Sequence, residues 1–399
     1  MVRGGRPDGP PRPPHADVRR LRLAHDAAGE PRPRPLVERL RRGTAAEGVH
    51  LRPQPTLPIV ESPVRCVALR WSPGGPPGLQ ARRAADLSEA AMSLQRKAVG
   101  SMELGDHLCL FFDNDDERRS IMAAYARDGV RAGQKVLYVS DAVPARDVLD
   151  WLIGDEKDAP GPMPADADAK PVDLAEAMDA GHFVVRTAEE TFLASGRFDP
   201  QESIELMATE IDLALVQGYT GVRVAGEARF SLRRWPGTEQ HGDFERMLDE
   251  VFMTTDLKAM AICQFDRRWF DAARLEQLES CHMGRVRVDD YYDDGSLRIT
   301  PIFSPPGVAM TGVIDASTRP AAERVLESIA TRTGLLCLDL GGVTDCDADG
   351  LRLLTRADRP DRGPNRGLLL RDVPPAIGER LRSAGLVARS GVSIEERPR

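Results

Sequence analysis

Short apolar segments alternate with amphipathic segments along the chain from about Gly105 onward. Several of the apolar segments are continuous, as in His107–Phe112, which is typical of strands buried on both faces of a parallel sheet. The segments between them repeat apolar residues at helical spacing, as Ile121, Met122 and Tyr125 do. The pattern therefore predicts α/β architecture with a largely parallel sheet.

A first region, which we place at residues 103–288, contains six predicted strands: His107–Phe112, Lys135–Val139, Phe183–Arg186, Val222–Ala225, Ala259–Phe265 and Arg285–Val288. Helices are predicted between them at Asp115–Gly133, around Val148–Ile153 and at Gln201–Gln217. Residues 155–171 are rich in Pro, Asp and Ala and predict a surface excursion, since the alternation of strands and helices resumes after them.

A second region, placed at residues 296–399, follows a polar, turn-rich segment, Asp289–Gly295, which predicts a hinge. Its predicted strands are Leu297–Phe303, Val308–Ile314, Leu335–Leu340 and Gly367–Arg371, and its predicted helices are Arg319–Thr331, Gly350–Leu354 and Pro375–Ala384. Gly341–Asp347 predicts a loop. This region is a small α/β domain of its own.

Residues 1–91 differ from the rest in composition, because they hold nearly half of the 31 prolines, many arginines and a single aromatic residue, Trp71. Such a segment buries too little apolar surface to offset the entropy of ordering, so we predict a disordered extension. An alternative stays open, in which the protein starts at Met92 or Met102.

The whole chain has 399 residues, 41% of them hydrophobic and 29% charged, and a net charge of -8. No apolar segment is long enough to span a bilayer, and the negative charge argues against generic binding to nucleic acid or to an anionic membrane. The six cysteines are scattered without a C-x-x-C pair, which argues against a disulfide scaffold. These features predict a cytoplasmic protein.

The second region resembles the STAS domain of bacterial anti-sigma factor antagonists in two motifs, Thr311–Thr318 and Leu338–Leu351. The resemblance implies an anti-sigma factor, or a serine kinase of the anti-sigma type, as partner. It places the partner-binding surface at Asp315, Asp347, Ala348, Asp349 and Gly350.

In that family the kinase phosphorylates a hydroxyl residue at the position of Ala348, and the added charge breaks the complex. Alanine has no hydroxyl, so this phospho-switch cannot operate here. Two signalling hypotheses stay open: a constitutively unphosphorylated antagonist, and a module in which Asp349 supplies a fixed negative charge near the phosphosite. The plain alternative for Asp347 and Asp349 is stabilisation of a helix start.

The first region resembles the MEDS domain, a sensory module, in several motifs: Gly105–Cys109 with Phe112 and Glu117, Gly133–Val139, Gly196–Pro200, Gly218–Glu227 and Cys263–Phe270. The resemblance implies a three-layer core of the RecA/KaiC type and an unidentified small-molecule ligand. We expect the ligand-binding residues to include His107, Cys109, Glu117 and Glu227. For Glu227, which follows a strand, a salt bridge is preferred to a catalytic role.

Enzymatic chemistry is not predicted, and neither is a cofactor. A phosphate-binding loop of the form G-x-x-x-x-G-K-[ST] is absent, and the first strand is followed by the acidic run Asp113–Glu117. Zinc bound by His107, Cys109, Cys281 and His282 was weighed, but their spacing is irregular and buried cysteine is commonly a small hydrophobe, so no metal site is predicted. Arg233–Trp235 and Arg267–Trp269 are interpreted as ordinary surface packing.

The sequence thus predicts a cytoplasmic bacterial signalling protein, in which a RecA/KaiC-like sensory domain controls a STAS domain that binds an anti-sigma factor. Ligand binding would act through the hinge. The alternatives are a degenerate RecA-like nucleotide-binding protein or enzyme regulated by its STAS domain, and a scaffold that uses both domains for assembly.

Overall fold

The computed structural model describes residues 96–154, 171–253, 257–329, 334–356, 367–386 and 392–396. The predicted disordered extension, residues 1–91, lies outside these described residues, as does nearly all of the predicted excursion at 155–171. Within the described part of the chain, no helix combines the length and the apolar character that crossing a bilayer requires.

The first region is built on a sheet of seven parallel strands in the order β1-β7-β2-β6-β5-β3-β4. Their bounds are β1 Arg96–Ala98, β2 His107–Phe112, β3 Lys135–Ser140, β4 Phe183–Thr187, β5 Val222–Glu227, β6 Ala259–Asp266 and β7 Gly284–Arg287. The six predicted strands are all present, and β1 adds an edge strand.

Helices cover both faces of this sheet, which confirms the expected three-layer α/β architecture. One face carries α1 (Asp115–Arg131), α2 (Ala145–Ile153) and α3 (Leu174–Asp179). The other carries α4 (Pro200–Val216), α5 (His241–Phe252) and α6 (Ala272–Glu279). Because β2 is followed by a helix on one face and its neighbour β6 by a helix on the other, the carboxyl ends of these strands form a topological switch point.

The second region is a mixed sheet of six strands in the order β13-β12-β11-β10-β9-β8. Among the described strands of this sheet, β8–β9 and β9–β10 pair antiparallel and the others pair parallel. The strands are β8 Tyr292–Asp293, β9 Leu297–Phe303, β10 Pro306–Ile314, β11 Leu335–Cys346, β12 Gly367–Val373 and β13 Val392–Glu396, and the helices are α7 Arg319–Ile329, α8 Ala348–Arg356 and α9 Pro375–Ser383.

Two expectations for the second region are corrected by the structure. The predicted loop Gly341–Asp347 is mostly strand, because β11 continues to Cys346 alongside β10. Gly342 permits the close pairing, since a Cβ atom there would lie 2.3 Å from Thr311 Oγ1. The predicted hinge is partly strand as well, since β8 pairs with β9.

Candidate functional site

A cavity of about 450 Å³ opens at the carboxyl ends of β2, β5 and β6, at the switch point of the first sheet. We call it the edge cavity. Nine residues line it: Phe112, Asp115, Arg118, Glu227, Arg229, Gln264, Asp266, Arg268 and Trp269. Three arginines and three carboxylates are among them, so the formal charges of the lining balance. This composition suits a small polar molecule rather than a strongly charged one.

Arg118 of α1 is the centre of a hydrogen-bond network on the floor of the edge cavity. It donates to Glu227 Oε1 at 2.6 Å, to the Tyr138 hydroxyl at 2.8 Å and to Gln264 Oε1 at 2.8 Å. Glu227 also accepts from the Tyr138 hydroxyl at 2.8 Å and from the backbone N–H of Asp141 at 3.1 Å. Among the described residues, the buried Nε2 of Gln264 has no hydrogen-bond partner and remains available to a ligand.

The rim of the edge cavity is more exposed. The Arg268 guanidinium forms salt bridges with both Asp115, at 2.8 Å, and Asp266, at 2.7 Å. The Arg229 guanidinium lies 4.5 Å from the ring centroid of Trp269, whose side chain is exposed. Arg267–Trp269, for which surface packing is predicted, lies near Glu227 because the fold brings the ends of β5 and β6 together.

Of the four expected ligand-binding residues, Glu227 alone lines the edge cavity. Glu117 is half-buried in the first turn of α1, where burial, followed by the negative charge of Asp113, raises its pKa. His107 and Cys109 belong to β2 but face the other side of the sheet, toward α5 and α6. Burial raises the pKa of the Cys109 thiol to about 12, and its Sγ lies 3.4 Å from the Gly284 carbonyl oxygen.

His107 is instead part of a buried cluster, which we define as His107, Glu245, Cys263 and His282. One donor atom from each residue lies within 4.8 Å of the others, and all four residues are buried. Two members of this cluster, His107 and His282, are among the four zinc ligands considered from the sequence. The other two members are Cys263 and Glu245 instead of Cys109 and Cys281. Within the described part of the chain, the four residues of the buried cluster are the group whose donor atoms lie close enough to bind one metal ion together.

Glu245 was missed from the sequence because α5 was not predicted. His241, Glu245 and Asp249 recur every fourth residue and fill the inward face of this helix beside Phe244 and Leu248. The same face is therefore partly polar, which weakens the apolar signal on which the helix prediction depends. The spacing of the three polar residues is the signal that was available.

The five expected partner-binding residues come together at one end of the second sheet, because β10 and β11 pair in register up to Ile314 and Cys346. Asp315 Oδ1 accepts from the backbone N–H groups of Ser317 and Thr318. Asp347 Oδ1 accepts from the N–H of Gly350 at 2.6 Å. Asp347 therefore stabilises the start of α8, as the capping interpretation required, whereas Asp315 closes the turn that precedes α7.

Ala348 and Asp349 are exposed in the first turn of α8, whereas Gly350 is buried. A Cβ atom at Gly350 would lie 2.8 Å from Cys346 Sγ, so glycine there serves the packing of α8. Arg319 of α7 lies 3.5 Å from Asp347 and 3.3 Å from Asp349. We call the exposed part of this surface, Asp315, Asp347, Ala348 and Asp349, the acidic edge.

One loop connects the edge cavity with the second sheet. Asn114 precedes α1, and its Oδ1 accepts from the N–H groups of Asp116 and Glu117. Its Nδ2 donates to the Phe303 carbonyl oxygen at the end of β9 at 3.4 Å, and the Phe303 side chain packs against the core of the first region. Asp115, the next residue, lines the cavity.

The fold and the site define a three-layer α/β domain with an edge cavity, joined to a small mixed-sheet domain with an acidic edge. Residues 106–283 match the family model described as the methanogen/methylotroph, DcmR sensory domain, MEDS. Residues 303–388 match the model described as Mlab, STAS domain. The chain therefore carries a MEDS domain followed by a STAS domain, which confirms both resemblances drawn from the motifs.

Two solved structures are similar to parts of the chain. An anti-sigma factor antagonist from Mycobacterium paratuberculosis is 22% identical with a TM-score of 0.22, over 25% of this chain and 87% of that chain. A KaiC-like protein from the hyperthermophilic archaeon Pyrococcus horikoshii is 10% identical with a TM-score of 0.33, over 55% of this chain and 88% of that chain. No curated protein matches the chain. Its ligand and partner have to be inferred from its own residues.

Proposed function

We propose that this protein is a non-enzymatic signalling protein, in which the MEDS domain binds a small polar molecule in the edge cavity and the STAS domain binds a partner through the acidic edge. The observation that carries the proposal is the Asn114 loop, which reaches both the cavity and the STAS sheet. A ligand that moves Asp115 acts directly on the residue next to Asn114. Signalling then requires that the ligand binds two domain arrangements unequally.

The start of α1 supports a non-enzymatic role. In nucleotide-binding α/β domains the first N–H groups of the corresponding helix hold phosphate. Here the N–H groups of Asp116 and Glu117 are bonded to Asn114 Oδ1, and three acidic residues occupy the first turn. A phosphate group would meet repulsion and occupied donors at this position, which disfavours the alternative of a nucleotide-dependent enzyme.

Calorimetric titration of the full chain with small polar molecules, and separately with Mg²⁺-ATP, tests the ligand. We expect a ligand whose affinity falls at least tenfold in Arg229→Gln, because Arg229 lines the cavity. The matched control is Arg246→Gln, since Arg246 is an exposed arginine of α5 that does not line it. Equal loss in both variants would contradict the proposed site, and ATP turnover would favour the enzyme alternative.

The partner is proposed to be an anti-sigma factor or a serine kinase of the anti-sigma type. Because Ala348 lacks a hydroxyl, we infer that the signal enters through the ligand instead of through phosphorylation. Purified anti-sigma kinases should bind the chain, and they should phosphorylate Ala348→Ser but neither the parent protein nor Asp349→Ser. Absence of binding to every such kinase would leave the STAS domain serving the sensory domain alone.

The coupling between the domains has its own test. Asn114→Asp keeps the oxygen that caps α1 but removes the amide that donates to Phe303. We expect unchanged affinity for the ligand and loss of the ligand's effect on partner affinity. Asn114→Ser, which also caps without that donor and adds no charge, should behave in the same way. If both variants retain the coupling, the Asn114 loop does not transmit the signal, and the predicted hinge at Asp289–Gly295 becomes the route to test.

A further inference from the structure

The buried cluster lies on the opposite face of the first sheet from the edge cavity, and it shares none of the residues that line that cavity. His107 comes from β2, Glu245 from α5, Cys263 from β6 and His282 from the turn after α6. Four separate elements therefore converge on one point in the core. Buried polar groups in such a position normally bond each other or hold an ion.

The separations within the cluster are the first argument for an ion. Cys263 Sγ lies 3.4 Å from His107 Nε2, Glu245 Oε2 lies 3.7 Å from His107 Nε2, and it lies 3.6 Å from His282 Nε2. The two carboxylate contacts are too long for hydrogen bonds. Donors bound to one tetrahedral zinc ion at about 2.0–2.3 Å stand about 3.3–3.6 Å apart, which is close to all three separations.

The orientation of His282 is the second argument. Its Nδ1 lies 2.8 Å from the Leu278 carbonyl oxygen, which can only accept, so Nδ1 carries the proton. In the neutral ring, Nε2 then carries the lone pair. Its Nε2 lone pair therefore faces a carboxylate oxygen of Glu245, and neither atom has a hydrogen-bond partner in the described structure. A proton between them would bring the two atoms to hydrogen-bond distance, whereas their separation of 3.6 Å suits two ligands of one metal ion.

The neighbours of the cluster complete the pattern of a metal site. His241 Nε2 lies 3.2 Å from Glu245 Oε1, on the side of the carboxylate away from His282. Asp249 Oδ1 lies 3.6 Å from His107 Nδ1. Outer contacts of this kind orient metal ligands, and a histidine bonded to a backbone carbonyl through its other nitrogen is common among them.

We propose that the buried cluster binds a divalent transition-metal ion, Zn²⁺ in the first instance, through His107, Glu245, Cys263 and His282. With the carboxylate and the thiolate as ligands, Zn²⁺ forms a complex of zero net charge, which a buried site requires. Nitrogen and sulfur donors select zinc over magnesium and calcium. Metal binding brings the most widely separated donor atoms of the cluster, which lie within 4.8 Å of one another, closer together. It also releases the thiol proton of Cys263 to solvent.

Because the four ligands are buried, the ion enters during folding or by local opening. The test therefore unfolds the full chain in urea with a chelator and refolds it with Zn²⁺ or Co²⁺ or with neither. We expect one equivalent of metal that survives dilution into chelator. The cobalt form should show the ligand-field bands of four-coordinate Co²⁺ and a thiolate-to-cobalt charge-transfer band.

Matched variants distinguish a metal site from a metal-free polar network. Cys263→Ser should lose the charge-transfer band and weaken metal binding at least a hundredfold, whereas Cys109→Ser, a buried cysteine on the same face, should change neither. His282→Gln covers the case in which Cys263→Ser does not fold, and it should also lose the metal. Refolded protein without bound metal, or a band that persists in Cys263→Ser, would overturn the proposal.

Discussion

The two faces of the seven-stranded sheet carry polar groups in different arrangements. On the cavity face, Arg118 bonds Glu227, Tyr138 and Gln264 directly at 2.6 to 2.8 Å. On the opposite face, the contacts of Glu245 with His107 and His282 are 3.7 and 3.6 Å long. In the first network the Glu227 carboxylate is satisfied by direct contacts, and Gln264 Nε2 is left for a ligand, whereas donors that meet at tetrahedral separations suit a central ion.

The charged groups on the two faces of the sheet differ in the same way. The guanidinium of Arg118 supplies donors that match the oxygens around it, and the edge cavity is open to solvent on one side. Around Glu245 there is no guanidinium among the close contacts in the described structure, only imidazole rings and a thiol. Burial tends to raise the pKa of Glu245, but the imidazole ring of His107, followed by those of His241 and His282, holds the pKa at about 2.

The largest expected effect is that of Glu245→Gln on the buried face. Removing one member of a buried charged pair is strongly destabilising, and Asp249, 3.6 Å from His107 Nδ1, replaces Glu245 only in part, so we expect a loss of about 3–5 kcal/mol in the free energy of unfolding. Urea denaturation of chelator-treated protein measures this loss without a contribution from metal. A loss below about 1 kcal/mol would mean that Glu245 carries no buried charge in the metal-free protein, and the contrast between the faces would fail.

Glu227→Gln on the cavity face should cost less. The glutamine retains an oxygen that can accept from Arg118, and Arg118 keeps its bonds to Tyr138 and Gln264. We expect a loss of about 1–3 kcal/mol, typical of a hydrogen bond to a charged group. The same denaturation series gives the value. A loss equal to that of Glu245→Gln would show that openness to solvent does not distinguish the two networks.

The same contrast explains what the sequence could predict. β2 and β6 are continuous apolar segments, so their burial was predicted, as was α1, whereas the three-layer order was implied by the family resemblance. The partners of His107 were not, since Glu245 lies on a helix whose inward face is partly polar. Strand β11 was predicted too short, because Gly341 and Gly342 resemble a turn until β10 is seen beside them. Contacts between distant segments leave no local pattern to detect.

The motifs were more informative for domain identity than for site residues. Gly105–Cys109 was correctly connected with a MEDS domain, yet His107 and Cys109 lie away from the edge cavity. Side chains on a strand alternate between faces, and a motif does not tell which face holds the ligand. Only the positions of α5 and α6 assign His107 to the buried cluster.

The smallest expected effect is that of Arg268→Gln on the rim of the edge cavity. Arg268 bonds Asp115 and Asp266, but its side chain is 45% exposed, and exposed ion pairs contribute little because water and salt screen them. We expect less than about 1 kcal/mol in the free energy of unfolding, declining further with added salt, and the Arg246→Gln control should show a similar small value. A loss as large as that of Glu227→Gln would mean that the rim is part of the structural network. A small loss in the free energy of unfolding together with weaker ligand binding would show that the rim contributes to ligand recognition. Stability would then depend on the residues at the floor of the cavity.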